Sequence, residues 1–216
     1  GGIKGFETVR FSIISHRGCA GECAFCSLYF HQGRIIQSRS EGSILEEART
    51  ISEDKDFRGT IRDVGGPTAN MYMAECVLRK GGGYCSDKKC MYPAICPNFR
   101  TRYEKCLSLY RKLRAIKGIK HVFIGSGFRH DLFCGEGSAE YLEELCKYHI
   151  SGQMKVAPEY AVDDVLRVMR KSSKKTYSEF EEKFFEAVKR SGKELYLVNY
   201  FISAHPGATI GHALRM

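Results

Sequence analysis

The chain has 216 residues, 43% hydrophobic and 27% charged, with a formal net charge of +9. That is enough chain to bury a real core as one large domain or two small ones, and it is too apolar for a disordered or collagen-like polymer. The charge is uneven: residues 76–120 hold 12 Lys and Arg against only Asp87 and Glu104, a patch suited to an anionic partner or simply to a solvated helix face.

No run of 18 apolar residues occurs, and no basic start precedes an apolar stretch, so neither a spanning helix nor a secretory signal is expected. A start at Gly1-Gly2 without Met reads as a piece of a longer chain. Ten cysteines in a chain of this kind point to a reducing, cytoplasmic compartment. There, clustered thiols bind metal or do chemistry more often than they form a disulfide framework.

Strand-like and helix-like patterns alternate, the sign of a parallel α/β sheet. The first strand is expected over 9–15 and runs into a Gly- and Cys-rich loop at 17–26. A helix follows from Ser43, where Ser43 and Glu46 have capping-box spacing and Ile44, Leu45, Ala48 and Ile51 share a face. The second strand is 60–64, closed by Gly65-Gly66-Pro67. Residues 68–100 are irregular and carry Cys76, Cys85, Cys90 and Cys96; Lys80-Gly81-Gly82-Gly83, Pro93 and Pro97 make them loop-like. A helix over 101–117 has Cys106, Leu109, Tyr110, Leu113 and Ile116 as its apolar stripe. The third strand is 121–125. Ser138 caps the next helix, whose Leu142, Leu145, Cys146 and His149 face inward. The fourth strand, 154–157, is stopped by Pro158. Helices over 162–171 and 178–191 follow, the latter with Ser178 and Glu181 as a capping box and Gly192 at its C-terminal cap. The fifth strand, 195–203, leads into His205-Pro206-Gly207, and the tail starts another helix.

Five such units predict a doubly wound sheet or an incomplete βα barrel, with functional groups at the carboxyl ends of the strands. The 17–26 loop, Gly65-Gly66-Pro67, Gly125-Ser126-Gly127, Pro158-Glu159 and His205-Pro206 all fall on that edge.

Cys19, Cys23 and Cys26 have the spacing Cys-x3-Cys-x2-Cys. Three soft ligands at this density suit an iron–sulfur cluster or zinc. Structural zinc wants four closed ligands, and a ferredoxin-type run brings its fourth Cys close by; here the next cysteine is Cys76. A cluster held by three thiolates keeps one iron open to a small chelating molecule.

This spacing, with Phe25 before the third Cys, resembles the radical S-adenosylmethionine (SAM) superfamily. The segments Ser15-His16-Arg17-Gly18-Cys19, 30–40, Gly65-Gly66-Pro67-Thr68-Ala69-Asn70-Met71-Tyr72 and Lys155-Val156-Ala157-Pro158-Glu159 resemble the YgiQ-type radical SAM proteins more narrowly, over most of the chain. Two positions depart from that pattern: Glu22 stands where it has Gly, and Tyr160 where it has His.

The resemblance implies a partial (β/α) TIM-like barrel of about five to six parallel strands. Residues 1–216 are then a core domain with a Cys-rich basic insertion at 76–100. It implies a [4Fe–4S] cluster on Cys19, Cys23 and Cys26, SAM on the open iron, and reductive cleavage of SAM to a 5′-deoxyadenosyl radical that abstracts hydrogen from a substrate. The cofactor-side residues it points to are Phe25, Gly65, Gly66, Pro67, Ser126 and Glu159; Arg129 and His205 are further candidates. The implied partners are SAM and an electron donor such as flavodoxin or ferredoxin; the charge at 76–120 adds an anionic macromolecule, and the absent apolar run adds no membrane. Cys76, Cys85, Cys90 and Cys96 are candidates for a second metal, zinc or an auxiliary cluster, or are reduced thiols packed under a loop or redox-active thiols. Two other readings stay open: an iron–sulfur electron carrier or redox sensor, and a zinc-dependent RNA-binding module built on 76–120.

Overall fold

The structure is a computed structural model that describes residues 2, 3, 5–78 and 85–216; the Lys80-Gly81-Gly82-Gly83 loop lies outside the described residues. The strand expected from residue 9 starts later. Phe6–Val9 form a helical turn, α1, and Arg10 turns outward to Asp56 at 2.7 Å. Extended chain runs as β1 (Ser12–Ile14) and β2 (His16–Arg17). After the 17–26 loop come α2 (Leu28–Gln32) and β3 (Gln37–Ser38), and β3 pairs antiparallel with β2, His16 opposite Ser38. This ribbon closes the base of the cysteine loop.

Helix α3 (Glu41–Glu53) begins before its expected cap. Ser40, in extended conformation, accepts from the Ser43 N–H at 3.3 Å, so Ser43 lies inside the first turn instead of capping it. Ile44 and Ala48 are buried, as their spacing requires. The second strand is present in two pieces, β4 (Thr60–Ile61) and β5 (Asp63–Gly65). Then β6 (Glu75–Cys76) and β7 (Phe99–Arg100) pair antiparallel and close the base of the Cys-rich segment. Helix α4 (Tyr103–Arg114) buries Cys106, Leu109, Tyr110 and Leu113, each leucine contributing roughly 1.5–3 kcal/mol.

Strand β8 (His121–Val122) is shorter than expected, because the Gly125 and Ser126 N–H groups turn to the Asp63 carboxylate. Helix α5 (Ser138–Glu144) has Gly137 at its N-cap, φ 77°, and no side-chain cap bond, so Ser138 is its first residue and not its cap. A π-helical turn over Leu145–His149 puts Leu145, Cys146 and His149 in the core. Strand β9 (Gln153–Glu159) runs through Pro158. Next come α6 (Asp163–Met169) and α7 (Lys174–Ser191). Ser173 caps α7 by accepting from the Thr176 N–H, so the expected Ser178 box is internal, while Gly192, φ 67°, ends the helix as expected. The last elements are β10 (Tyr196–Phe201) and α8 (Ile210–Ala213), the second under a Thr209–His212 capping box. The β9–β10 register shifts between Asn199 and Phe201. At such an irregularity a proline is not asked for a ladder donor, which is why Pro158 does not end β9.

The strands of the main layer pair in parallel: β1 with β5, β4 with β8, β9 with β10. A Phe128–Val156 bridge links the chain after β8 to β9. The row therefore follows chain order. A doubly wound sheet reverses order at a switch point; this row does not. It is a mixed α/β fold with parallel strand pairs, and no barrel closes among the described residues. Its main core unites Ile13, Ile61, Val64, Val122 and Val156 from the strands with Leu109, Tyr141, Phe180 and Phe184 from the helices.

His149 is fully buried, its Nδ1–H donating to the Val122 carbonyl at 2.7 Å. Burial lowers its pKa to about 4, so the folded chain resists a proton that the unfolded chain takes up near 6.5. This contribution is intact above pH 6.5 and is lost as pH falls toward 4, about 2 kcal/mol of it between pH 7 and 5. Urea midpoints at those two pH values should fall with acid. His149→Gln should make the dependence shallower, leaving the share of His16 and His130, which burial also lowers to about 4; an equally steep loss in that variant would refute this account.

Candidate functional site

No ladder holds the cysteine loop at the carboxyl edge of the strands. Instead the Cys19 N–H donates to the Gly33 carbonyl at 3.0 Å, the Ala24 N–H to the Met169 carbonyl at 3.0 Å, and the Cys26 N–H to the Cys23 carbonyl at 3.1 Å. Cys23 is buried; Cys19 and Cys26 are half-buried. Each sulfur meets a different neighbour. Cys19 Sγ lies 3.6 Å from Thr68 Oγ1. Arg129 Nη1 donates toward Cys23 Sγ at 3.5 Å. Burial pushes the Cys26 thiol up, against a backbone hydrogen bond at Leu28 that pulls it down.

Glu22, inside the loop, has φ 47°, the left-handed region that suits the Gly of the resembling pattern. Its carboxylate is buried and held by Arg34 at 2.7 Å and Lys89 at 3.4 Å. Two ion pairs thus fix a conformation that glycine would adopt freely.

Gly65, Gly66, Pro67 and Ser126 come together. With Asp63, His16, Arg17 and Gln32 they line a cavity of about 300 Å³ beside the loop. Asp63 accepts from the Gly125 N–H at 2.8 Å, and the Ser126 hydroxyl donates to its other oxygen at 2.5 Å. The backbone passes close to the His16 ring: a Cβ on Gly66 would stand 2.6 Å from His16 Cε1. His16 is buried, its Nε2–H donates to the Thr68 carbonyl at 3.1 Å, and burial lowers its pKa to about 4, so the ring is neutral.

Glu159 and Phe25 lie on the other side of the loop, away from that cavity. Glu159 ends β9 with φ 72°, a conformation rare outside glycine that marks strain at a site, and burial raises its carboxyl. Phe25 packs edge-on against His205, ring centres 6.1 Å apart. Tyr160 is buried beside them, and its hydroxyl finds no hydrogen-bond partner among the described residues.

Arg129 does not reach into the 300 Å³ cavity. It is buried behind Cys23, with Nε donating to Asp131 at 2.9 Å and Nη2 at 2.5 Å. Burial opposes both charges, but each outweighs it in the other: the guanidinium is held above its ordinary value and the carboxyl well below the carboxylate range. Lys171 is buried nearby, its ammonium donating to the Ala157 carbonyl at 2.6 Å, and burial lowers its pKa. His16, Thr68 and Asn70 lie in motifs that the sequence singles out, yet their roles were not read there. Asp63 sits in the second strand between Arg62 and Val64, where nothing local marks it. Nothing local points to Asp131 or Lys171.

The donor set fits an iron–sulfur cluster: three thiols on one loop with two buried cations behind them. Among the described residues no three His, Cys, Asp or Glu side chains are placed to hold a single metal ion, and a polynuclear cluster draws on ligands spread around it. In the second group, Cys90 and Cys96 pack on a small core with Met91, Phe99 and Leu132, and the Cys96 N–H donates to the Cys90 carbonyl at 2.8 Å. The cations of the basic stretch are partly taken up: Arg102 pairs with Glu75, Arg111 with Glu140 and Glu144, and Lys112 with Glu41. A cavity of about 770 Å³ lies between this stretch and α5, away from the three cysteines. Among the described residues no helix is long and apolar enough to cross a membrane.

Comparison with known proteins places this edge in context. The family model described as the radical SAM superfamily matches residues 13–216. A UPF0313 protein of Methanocella arvoryzae is 48% identical over 214 residues, which cover 99% of this chain and 35% of that protein. One of Methanosarcina acetivorans is 49% identical over 214 residues, covering 99% and 29%. One of Clostridium botulinum is 46% identical over 216 residues, covering 100% and 34%. The chain thus spans about a third of the length of these relatives.

Gly66→Ala should drive a methyl into the His16 imidazole and break its bond to the Thr68 carbonyl. The expected cost is about 1–3 kcal/mol of stability, read as a lowered urea midpoint; an unchanged midpoint would show that the glycine–imidazole contact is not limiting.

Proposed function

The chain belongs to the radical SAM superfamily, and on that premise we propose that the 19–26 loop holds a [4Fe–4S] cluster with S-adenosylmethionine beside it. When bound, these groups supply reductive cleavage of the sulfonium to methionine and a 5′-deoxyadenosyl radical, which takes hydrogen from a substrate. The observation that carries this reading is Thr68, which meets the Cys19 sulfur through its hydroxyl and, through its carbonyl, the His16 ring that lines the glycine-bearing cavity.

In this reading Cys19, Cys23 and Cys26 are the protein ligands. Gly65, Gly66 and Pro67 offer backbone that a ligand can approach, and Ser126, fixed by Asp63, offers a hydroxyl oxygen. Glu159 is an acceptor for an amine or ribose hydroxyl on the far side, and Phe25 is an apolar wall. Residues 1–216 form one core unit into which 76–100 is inserted. Its reductant is a one-electron donor of the flavodoxin or ferredoxin kind, and its setting is the cytoplasm. An anionic macromolecule at 76–120 would have to use the cations that the acidic neighbours leave over. Cys76, Cys85, Cys90 and Cys96 would take a metal only after moving closer together.

Anaerobic reconstitution with iron and sulfide, then reduction and addition of SAM, should yield 5′-deoxyadenosine. An EPR spectrum that SAM leaves unchanged would favour an electron carrier instead. Zinc without iron or sulfide would favour a zinc module. Cys23→Ala should lose the cluster iron, because two thiolates remain; Cys85→Ala should keep it. If both variants lose all iron together, the two thiol groups are not separate.

A further inference from the structure

Arg129 is buried against a cysteine sulfur, and several features fix it there. Asn70 grips its backbone from both sides: Asn70 Oδ1 accepts the Arg129 N–H at 3.1 Å, and Asn70 Nδ2 donates to the Arg129 carbonyl at 2.9 Å. Asp131 takes Nε and Nη2, which aims Nη1 at Cys23 Sγ, 3.5 Å away. Gly21 leaves the space the guanidinium fills: a Cβ there would stand 2.6 Å from Nη1.

We propose that Arg129 is a positioning residue that holds a fixed positive charge against the Cys23 sulfur and so raises the reduction potential of the cluster on this loop, with Asp131 as the counter-charge that limits the effect. This rests on the cluster assignment above. Reduction brings one electron from an external one-electron donor and adds one negative charge. Arg129 stays protonated throughout, so no proton has to move with the electron. A cation in a buried, low-dielectric place stabilises the reduced state, and a donor aimed at a ligand sulfur acts in the same sense. Asp131 acts in the opposite sense. The pair therefore makes a prediction of sign that a purely structural role does not: removing one partner lowers the potential and removing the other raises it.

The test is an EPR-monitored redox titration of the anaerobically reconstituted protein and three variants. Arg129→Met should lower the midpoint, with the reduced-to-oxidised ratio at fixed potential falling about tenfold, or about 59 mV for one electron. Asp131→Asn should raise the midpoint. Gly21→Ala keeps every charge but sets a methyl 2.6 Å from Nη1 and 3.3 Å from Cys19 Sγ; the tighter contact displaces Nη1 from the Cys23 sulfur, so the variant should lower the midpoint by a smaller step while retaining its iron. If Arg129→Met fails to assemble a cluster, the opposite shifts of Asp131→Asn and Gly21→Ala still decide the matter. Unchanged midpoints, or shifts of one sign in all variants, overturn the role of Arg129, while a parent spectrum that responds to SAM leaves the cluster assignment standing. A parent protein that takes up no iron and sulfide overturns that assignment first.

Discussion

A loop with no strand or helix of its own has to hold three thiols in a fixed relation, and the architecture of this edge follows from that constraint. Carbonyls of Gly33 and Met169 take its N–H groups, Thr68 meets the first sulfur, and Arg129 meets the second. These partners come from four separate stretches of chain. Thr68 and Arg129 follow parallel strands, whose carboxyl ends lie on one side, while Gly33 and Met169 arrive from the ends of α2 and α6. The short β2–β3 ribbon, with His16 opposite Ser38, anchors the loop where it leaves the sheet.

The same edge concentrates buried charge. Arg129, Asp131, Lys171 and Glu22 are all withdrawn from water, which costs several kcal/mol per ion unless each finds a partner. Each does: Arg129 with Asp131, Glu22 with Arg34 and Lys89, Lys171 with the Ala157 carbonyl. Two backbone positions in the left-handed region, Glu22 and Glu159, sit among them. Paired buried ions and strained backbone in one place mark function better than they mark stability. The ion pairs of α4 are of another kind. Arg111 and Lys112 are exposed, so they contribute little to stability and chiefly temper the positive stretch.

Several local readings of the sequence stopped short for one reason: a cap or a strand end is settled by competition between neighbours. Ser43 and Ser178 have the spacing of capping residues, yet Ser40 and Ser173 reach the extended conformation first and take the free N–H groups. Pro158 is a strand breaker by its chemistry, yet the register shift against β10 leaves it no donor to supply. The apolar stripes of α3 and α4 were legible because burial follows helical periodicity whatever lies opposite.

Spacing along the chain was enough to determine the parallel α/β character, the three thiols of the 19–26 loop and the glycine turn after the second strand, since each of these depends on residues near one another in sequence. Tertiary structure alone decided that Arg129 faces Cys23 rather than the cavity by Ser126, that Asp131 and Lys171 join the edge, and that Asp63 pins Ser126. Those contacts join residues tens of positions apart, and a charge or a hydrogen-bond donor leaves no periodic trace that would reveal which distant group it meets.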